Sequence, residues 1–241
     1  AGDEEEMFRL VTDYYRQYGY GVFAMTRAFR IRRAGEDVEF LPISNIDRVM
    51  LSDLLGYETQ KQELRRNTEA FLSGLPANNV LLYGDRGTGK SSTIHAILNA
   101  YKEQGLRMIE IPKSAVEELS LIREYLADSP MKFIIYIDDL SFDSQDNAFT
   151  ELKAALEGGL SACQPNTLIY ATSNRRHLIK ENFSDREDDV NKNDTRQEQL
   201  SLSDRFGLTI TFINPDKKDY LDIVEKIAAD RGLQVLSLIH I

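Results

Sequence analysis

The stretch "NNVLLYGDRGTGKSSTIHAIL", residues 79–99, leaves this chain few folds to choose from. An apolar run of strand length meets a glycine-rich turn. The turn ends in Gly-Lys-Ser and passes into an apolar repeat of helical period. Gly84, Asp85, Arg86, Gly87, Thr88, Gly89, Lys90 and Ser91 fit the pattern G-x-x-x-x-G-K-[ST]. Glycines let backbone N–H groups turn inward and approach phosphate oxygens closely. A helix starting at Gly89 aims its free N–H groups and positive dipole end at the same anion. Lys90 reaches toward β- and γ-phosphates, the Ser91 hydroxyl is a ligand type for Mg²⁺, and Ser92 extends the phosphate-facing turn. At average glycine and lysine usage such a pattern arises by chance in roughly one chain in a hundred of this length. Here it also lies between a strand and a helix, the context it requires.

Strands and helices alternate from there on. "LRMIEI", "KFIIYIDDL", "NTLIYATSN" and "LTITFI" read as further strands. Helices are expected at "SAVEELSLIREYLAD", where Ser114 and Glu117 form a capping-box pattern, at about 145–157 and at "PDKKDYLDIVEKIAADRG". The alternation predicts a parallel sheet with right-handed crossovers, which brings strand C-termini to one edge, where ligands bind. Asp138 at that edge is placed to hold Mg²⁺ through water together with Ser91. Asp139 is a candidate base for an attacking water. Asn174 ends the next strand and is a candidate to hold that water or touch the γ-phosphate; Thr172 or Ser173 are alternatives. Arg205, in "LSLSDRFGL", is a candidate arginine finger, or else a surface ion pair with the acidic stretch at 175–204.

The N-terminal part is less distinctive. Residues 4–33 read as helices broken at "YGYG", mixing Phe8, Tyr14, Tyr15, Tyr18, Tyr20, Phe23 and Phe29 with Arg9, Arg16, Arg27, Arg30, Arg32 and Arg33. Rings packed inward with arginines outward are favoured over a base-stacking surface. Residues 34–52 read as an extended connector with a turn at "AGED", and a helix follows at about 57–73. The expected divisions are residues 1–50 as helical extension and connector, 51–214 as nucleotide-binding core and 215–241 as the start of a lid. A net charge of -10 argues against a general nucleic-acid coat but not against a local basic patch. Cys163 is alone, so no internal disulfide forms and a cytoplasmic setting is expected. No apolar stretch approaches the roughly 20 residues of a transmembrane helix, and "AGDEEE" is unlike a signal peptide's basic start.

The ordered set Gly84–Ser91, Asp138-Asp139, Asn174 and Ser203-Asp204-Arg205-Phe206 resembles the AAA+ ATPases, as Walker A, Walker B, sensor 1 and arginine finger. The resemblance covers about residues 50–231. With "LSDLLGYETQKQELRRNTEAFLSGLPANNVLLYGDRGTGKSS", "LIYATSNRRHL" and "LSLSDRFGLTI", the chain is closer still to the bacterial DUF815 family of AAA+ ATP-binding proteins. It is more distantly similar to replication initiators and helicase loaders. The resemblance implies an α/β P-loop NTPase three-layer sandwich with a five-stranded parallel sheet in order 5-1-4-3-2 and a small helical lid. It implies ATP and Mg²⁺, with adenine held around Leu54, Leu55 and Gly56. It further implies a homo-oligomeric ring or filament with Arg205 acting in trans, and hydrolysis of ATP coupled to remodelling or loading of a protein or DNA partner, away from membranes.

Two features depart from that pattern. Most AAA+ proteins carry Asp-Glu where this chain has Asp138-Asp139, and the shorter second carboxylate implies slow hydrolysis. After "AADRGLQV" the sequence reads "LSLIHI", without a helical bundle or a second sensor arginine, so the lid is expected to be largely missing through truncation. No pore-loop aromatic pattern follows the second strand of the core. A slow or non-hydrolysing ATP-dependent switch or scaffold, and a DNA-associated accessory using the N-terminal arginines, are the competing readings.

Overall fold

The computed structural model of the chain describes residues 2–142, 147–157, 165–174, 202–230 and 232. Its strands are β1 (Ala28–Ala34), β2 (Asp37–Pro42), β3 (Val80–Gly84), β4 (Leu106–Ile111), β5 (Lys132–Ile137), β6 (Thr167–Ser173) and β7 (Leu208–Phe212). They form a 7-stranded sheet in the order β2-β1-β4-β5-β6-β3-β7. Every neighbouring pair is parallel except the β1–β2 hairpin. β5 and β6 are buried almost throughout, because helices cover both faces of the sheet. On one face α2 (Glu58–Leu72) and α3 (Lys90–Tyr101) pack Leu64, Phe71, Ile94 and Ile97 onto Val80, Leu82, Ile134 and Tyr170. On the other, α4 (Leu119–Leu126) and α5 (Asn147–Glu157) pack Ile122, Leu126 and Leu152 onto Leu81, Ile135 and Ile169. These layers form an α/β sandwich. α1 (Gly2–Tyr18) precedes them and α6 (Lys217–Asp230) follows β7.

The sheet is larger than the expected five strands, and the N-terminal part is not wholly helical. The strands from Val80 onward stand in the order β7-β3-β6-β5-β4, and β1 and β2 extend the β4 edge. "AFRIRRA" alternates with period two, Phe29 fully buried and Arg30 and Arg32 outward, whereas a helical reading spreads the same arginines round a cylinder. The "AGED" turn closes the hairpin, Ala34 pairing with Asp37 and Gly35 taking a positive φ of 70° in the tight loop. Arg30 pairs with Glu110 at 3.1 Å and Arg33 with Glu118 at 2.6 Å, and Arg32 pairs with Glu39 across the hairpin. Phe23 packs edge-on against Phe29, Phe40 and Phe133, with centroids 5.1–5.2 Å apart. Inward packing thus describes Phe23 and Phe29, but not Phe8, Tyr14, Tyr15, Tyr18 and Tyr20, which are exposed.

Two backbone approaches fix this frame. Arg107 on β4 is fully buried and donates to the carbonyls of Phe23 (3.0 Å), Leu106 (3.2 Å) and Gln17 (3.3 Å), tying the end of α1 and the following turn to the sheet. Burial, with Arg27 nearby, pulls its pKa down to about 10. At the opposite end of the sheet Gly84 has φ 140°, and a Cβ there would stand 1.8 Å from the Phe212 carbonyl oxygen. No side chain fits, so β3 and β7 meet at a glycine.

Replacing Arg107 with Met is expected to strand buried carbonyls and lower unfolding free energy by about 3 kcal/mol, measured by urea denaturation; an unchanged midpoint would contradict the anchoring role. Gly84→Ala must displace β7 and should lose well over the ~1 kcal/mol expected of Gly87→Ala, where φ is also positive but a Cβ meets open space. Equal loss in the two variants would show that backbone conformation alone, not the Phe212 approach, matters.

Candidate functional site

The phosphate-loop candidate is residues 85–89, joining β3 to α3. Gly89 is the N-cap of α3 at φ 86°, and no side chain caps the helix there. The first N–H groups of α3 therefore keep their donor capacity toward the loop. Inside the loop the Thr88 hydroxyl donates to the Asp85 carbonyl at 2.8 Å. The Lys90 ammonium is buried and donates to the carbonyls of Gly84 (3.1 Å) and Asp85 (2.6 Å). It is folded onto its own loop, where an anionic ligand would compete for it. Burial lowers its pKa, against the opposing pull of Asp85, Asp139 and Asp138.

Asp85 plays a different part from the one expected. Its N–H donates to the Phe212 carbonyl at 2.9 Å, and its carboxylate accepts the Asn214 N–H at 2.8 Å. Both groups stitch the loop to the exit of β7, so Asp85 anchors the loop and has no N–H left for a phosphate. Of the remaining loop positions, Arg86 and Gly87 are exposed and Ser92 lies on the first turn of α3.

β5 leaves the sheet beside this loop. The Ser91 hydroxyl donates to Asp138 Oδ1 at 2.8 Å, so the two candidate metal ligands are in contact. Below them the Tyr136 hydroxyl is buried and faces Asp138, Ser91 and Thr172, yet it makes no hydrogen bond of good geometry. Burial raises its pKa and Asp138 adds to the shift. Oxygen-only donors plus an orphaned buried hydroxyl suit a hard cation that carries waters, and they fit Mg²⁺. Burial alone would raise the pKa of Asp138, but hydrogen bonds from Thr172 and Ser91, with the Tyr136 hydroxyl facing it, prevail and lower it. The carboxylate is therefore kept ionised, as a metal ligand must be.

Asp139 has φ 49°, in the left-handed region that few non-glycine residues other than Asn and Asp adopt readily. This turn sets its carboxylate beside Asn174, whose amide donates to Asp139 Oδ1 at 2.6 Å. Thr172 does not fit the alternative role of an exposed water-holder. It is buried, donates to Asp138 and accepts from the Asp139 N–H. Ser173 is buried as well.

Leu54 and Leu55 line a cavity of about 640 Å³ together with Leu51, Glu58, Lys61 and Lys226, and no phosphate-loop residue lines it. Lys61 is nearly buried and donates to the Leu54 carbonyl at 2.7 Å, holding the segment in place. Gly56 lies against Ile223 of α6. Tyr57, which sequence reasoning missed, donates from its hydroxyl to the Ile213 carbonyl at 2.7 Å and packs its ring on Phe212. Nothing in the residue pattern distinguishes it from a helix-start tyrosine.

The structure thus gathers Lys90, Ser91, Asp138, Asp139 and Asn174 at one edge. Arg205 is elsewhere. It precedes Leu208, which pairs with Val80 at the start of β3, while the loop follows Gly84, which pairs with Phe212. At about 3.3 Å per residue, these ends are roughly 13 Å apart along the strands. Most of the acidic stretch, at 175–201, and the sequence end at 233–241, with the expectation of a missing lid, lie outside the described residues.

Comparisons with known proteins bear on the fold and the family. The Dictyostelium discoideum "26S proteasome regulatory subunit 6B homolog" is 27% identical over 224 residues, covering 77% of this chain and 55% of that protein. A Schizosaccharomyces pombe protein of the same description is 30% identical over 128 residues, 45% of this chain and 33% of that protein. The chain therefore spans about half the length, or less, of these relatives. Among solved structures, the Thermotoga maritima RuvB Holliday junction branch migration motor matches with a TM-score of 0.50 and 19% identity, over 77% of this chain and 55% of that one. A point mutant of the same motor matches with a TM-score of 0.51 and 17% identity over the same shares. At such identities the likeness is one of fold, a P-loop NTPase-like α/β fold. The resemblance to AAA+ ATPases read from the sequence is borne out at the level of family. The sequence model of the family described as "Protein of unknown function (DUF815)" matches residues 24–238, most of the chain, and the chain belongs to that family.

Proposed function

We propose that this chain binds ATP with Mg²⁺ and hydrolyses it slowly to ADP and phosphate, as part of a cytoplasmic homo-oligomer that remodels or loads a macromolecular partner. The observation that carries the reading is the pairing of Ser91 with Asp138 and of Asp139 with Asn174 beside the uncapped start of α3. The N–H groups of residues 86–90 and the Lys90 ammonium would hold the β- and γ-phosphates, with the base lying near Leu54, Leu55 and Gly56. Mg²⁺, held by Ser91 and Asp138, would offset phosphate charge when bound. Asp139 orients the water and takes its proton as the oxygen attacks the γ-phosphorus and the bond to the β-phosphate oxygen breaks. Asn174 fixes the Asp139 carboxylate. Arg205, too far from the loop of its own chain, would act on the site of a neighbouring copy.

A second reading, an ATP-dependent switch that scarcely hydrolyses, is favoured by one observation. The Asn174 amide takes one acceptor position of the Asp139 carboxylate, which leaves fewer from which to orient a water. A DNA accessory role finds less support. Arg30, Arg32 and Arg33 are committed to ion pairs with Glu110, Glu39 and Glu118, and α1 opens with Asp3, Glu4 and Glu5. No described helix is long and apolar enough to cross a membrane.

Binding of a fluorescent ATP analogue and phosphate release separate these readings. Lys90→Ala should abolish binding, and retained affinity would remove the loop as the site. Asp139→Asn should leave binding intact and reduce turnover at least ten-fold, on the scale of general-base loss; unchanged turnover would remove Asp139 as base. Specific activity should rise with protein concentration and fall on the order of 10³-fold in Arg205→Ala. Activity per molecule that stays constant on dilution would exclude a finger in trans.

A further inference from the structure

We infer that Thr172 is a positioning residue that sets both aspartates at the end of β5 at once. The inference deepens the ATP–Mg²⁺ reading above and rests on it for its functional consequence. Thr172 lies near the end of β6, paired with Leu82 of β3, and only 2% of it is exposed. A threonine hydroxyl has one proton to donate and lone pairs to accept with. Here both capacities are spent on adjacent residues. The hydroxyl donates to Asp138 Oδ1 and accepts the Asp139 N–H at 2.9 Å. The Thr172 carbonyl then accepts the Leu140 N–H at 2.7 Å. One residue therefore holds three successive residues of the turn that leaves β5.

The consequences follow from geometry. With Asp138 Oδ1 bonded to Thr172, the carboxylate is held against the Ser91 hydroxyl and cannot rotate away from it. With its N–H fixed, Asp139 keeps the left-handed backbone that turns its carboxylate to Asn174. Thr172 itself is too buried to meet a phosphate or an attacking water, so it acts through the aspartates and not on the reacting atoms. Valine has the same shape and neither capacity. Serine has both. The hydroxyl, and not the volume at this position, is what the arrangement uses.

The test compares wild type, Thr172→Val and Thr172→Ser in the full chain. Without nucleotide, hydrogen exchange at residues 138–140 should quicken in Thr172→Val and stay near wild type in Thr172→Ser. With a fluorescent ATP analogue, Thr172→Val should need about ten-fold or more Mg²⁺ for half-maximal response, as when a metal site loses an outer partner. Its affinity in EDTA should be unchanged. Thr172→Ser should restore both readouts. Wild-type exchange in the valine variant, or a serine variant as impaired as valine, overturns the positioning role. Should valine fail to fold, Thr172→Ala takes its place with the same criteria. A wild type that binds no nucleotide overturns the ATP reading and the Mg²⁺ consequence, while exchange still decides whether Thr172 sets the turn.

Discussion

The contact on which the site depends is the approach of Gly84 to the Phe212 carbonyl. It allows the Asp85 N–H to bond that carbonyl, and the Asp85 carboxylate then takes the Asn214 N–H. The start of the phosphate loop is thereby built into the end of β7, and β7 leads within a few residues to α6. Tyr57 closes the same corner from the other side, through Ile213 and Phe212. The loop, the start of α2 at Tyr57 and the helix after the sheet consequently share one anchoring point. A ligand that reshaped residues 85–89 would pull on all three. Such a link is what a protein needs if nucleotide state is to be felt outside the site.

The other half of the site hangs on β6. Parallel strands bring Ser91, Asp138 and Asn174 to one edge, but parallel packing alone does not choose rotamers. The choice is made by the Thr172 hydroxyl below the edge, bonded to Asp138, while the Tyr136 hydroxyl lies buried beside it. These groups lie on the face shared with α3. Thr172, on the face that packs under α3, therefore also holds the Asp138 carboxylate.

Much of this is legible in the sequence, and the reason differs from part to part. The loop is legible because backbone approach to an anion demands glycine at set spacing. β5 is legible because a strand covered on both faces is a continuous apolar run, and its terminal aspartates stand out against it. "AFRIRRA" is not, because seven residues with arginines at several spacings fit either period, and its partner β4 lies almost eighty residues away. Arg107 offers no signal either: a buried arginine that bonds only backbone carbonyls has no partner residue to look for. Thr172 stands out as a polar strand end, but its task does not. A sequence shows that a polar residue ends a strand, but not which face it takes.

The second aspartate is the point where local backbone and chemistry meet. At φ 49° a side chain with a branched or bulky Cβ is strained, at a cost of order 1 kcal/mol or more, while Asp and Asn offset part of this by bonding locally. Asp139 is held there by two bonds to β6 and its end, from its N–H to the Thr172 hydroxyl and from the Asn174 amide to its carboxylate. A glutamate here would carry its carboxylate one methylene farther and overshoot the Asn174 amide unless the backbone relaxed. The short residue is therefore consistent with the turn it occupies. If Asp139 is the base, its reach toward water is set by the left-handed backbone as well as by side-chain length, and the Asn174 bond orients the carboxylate while leaving it lone pairs for a water.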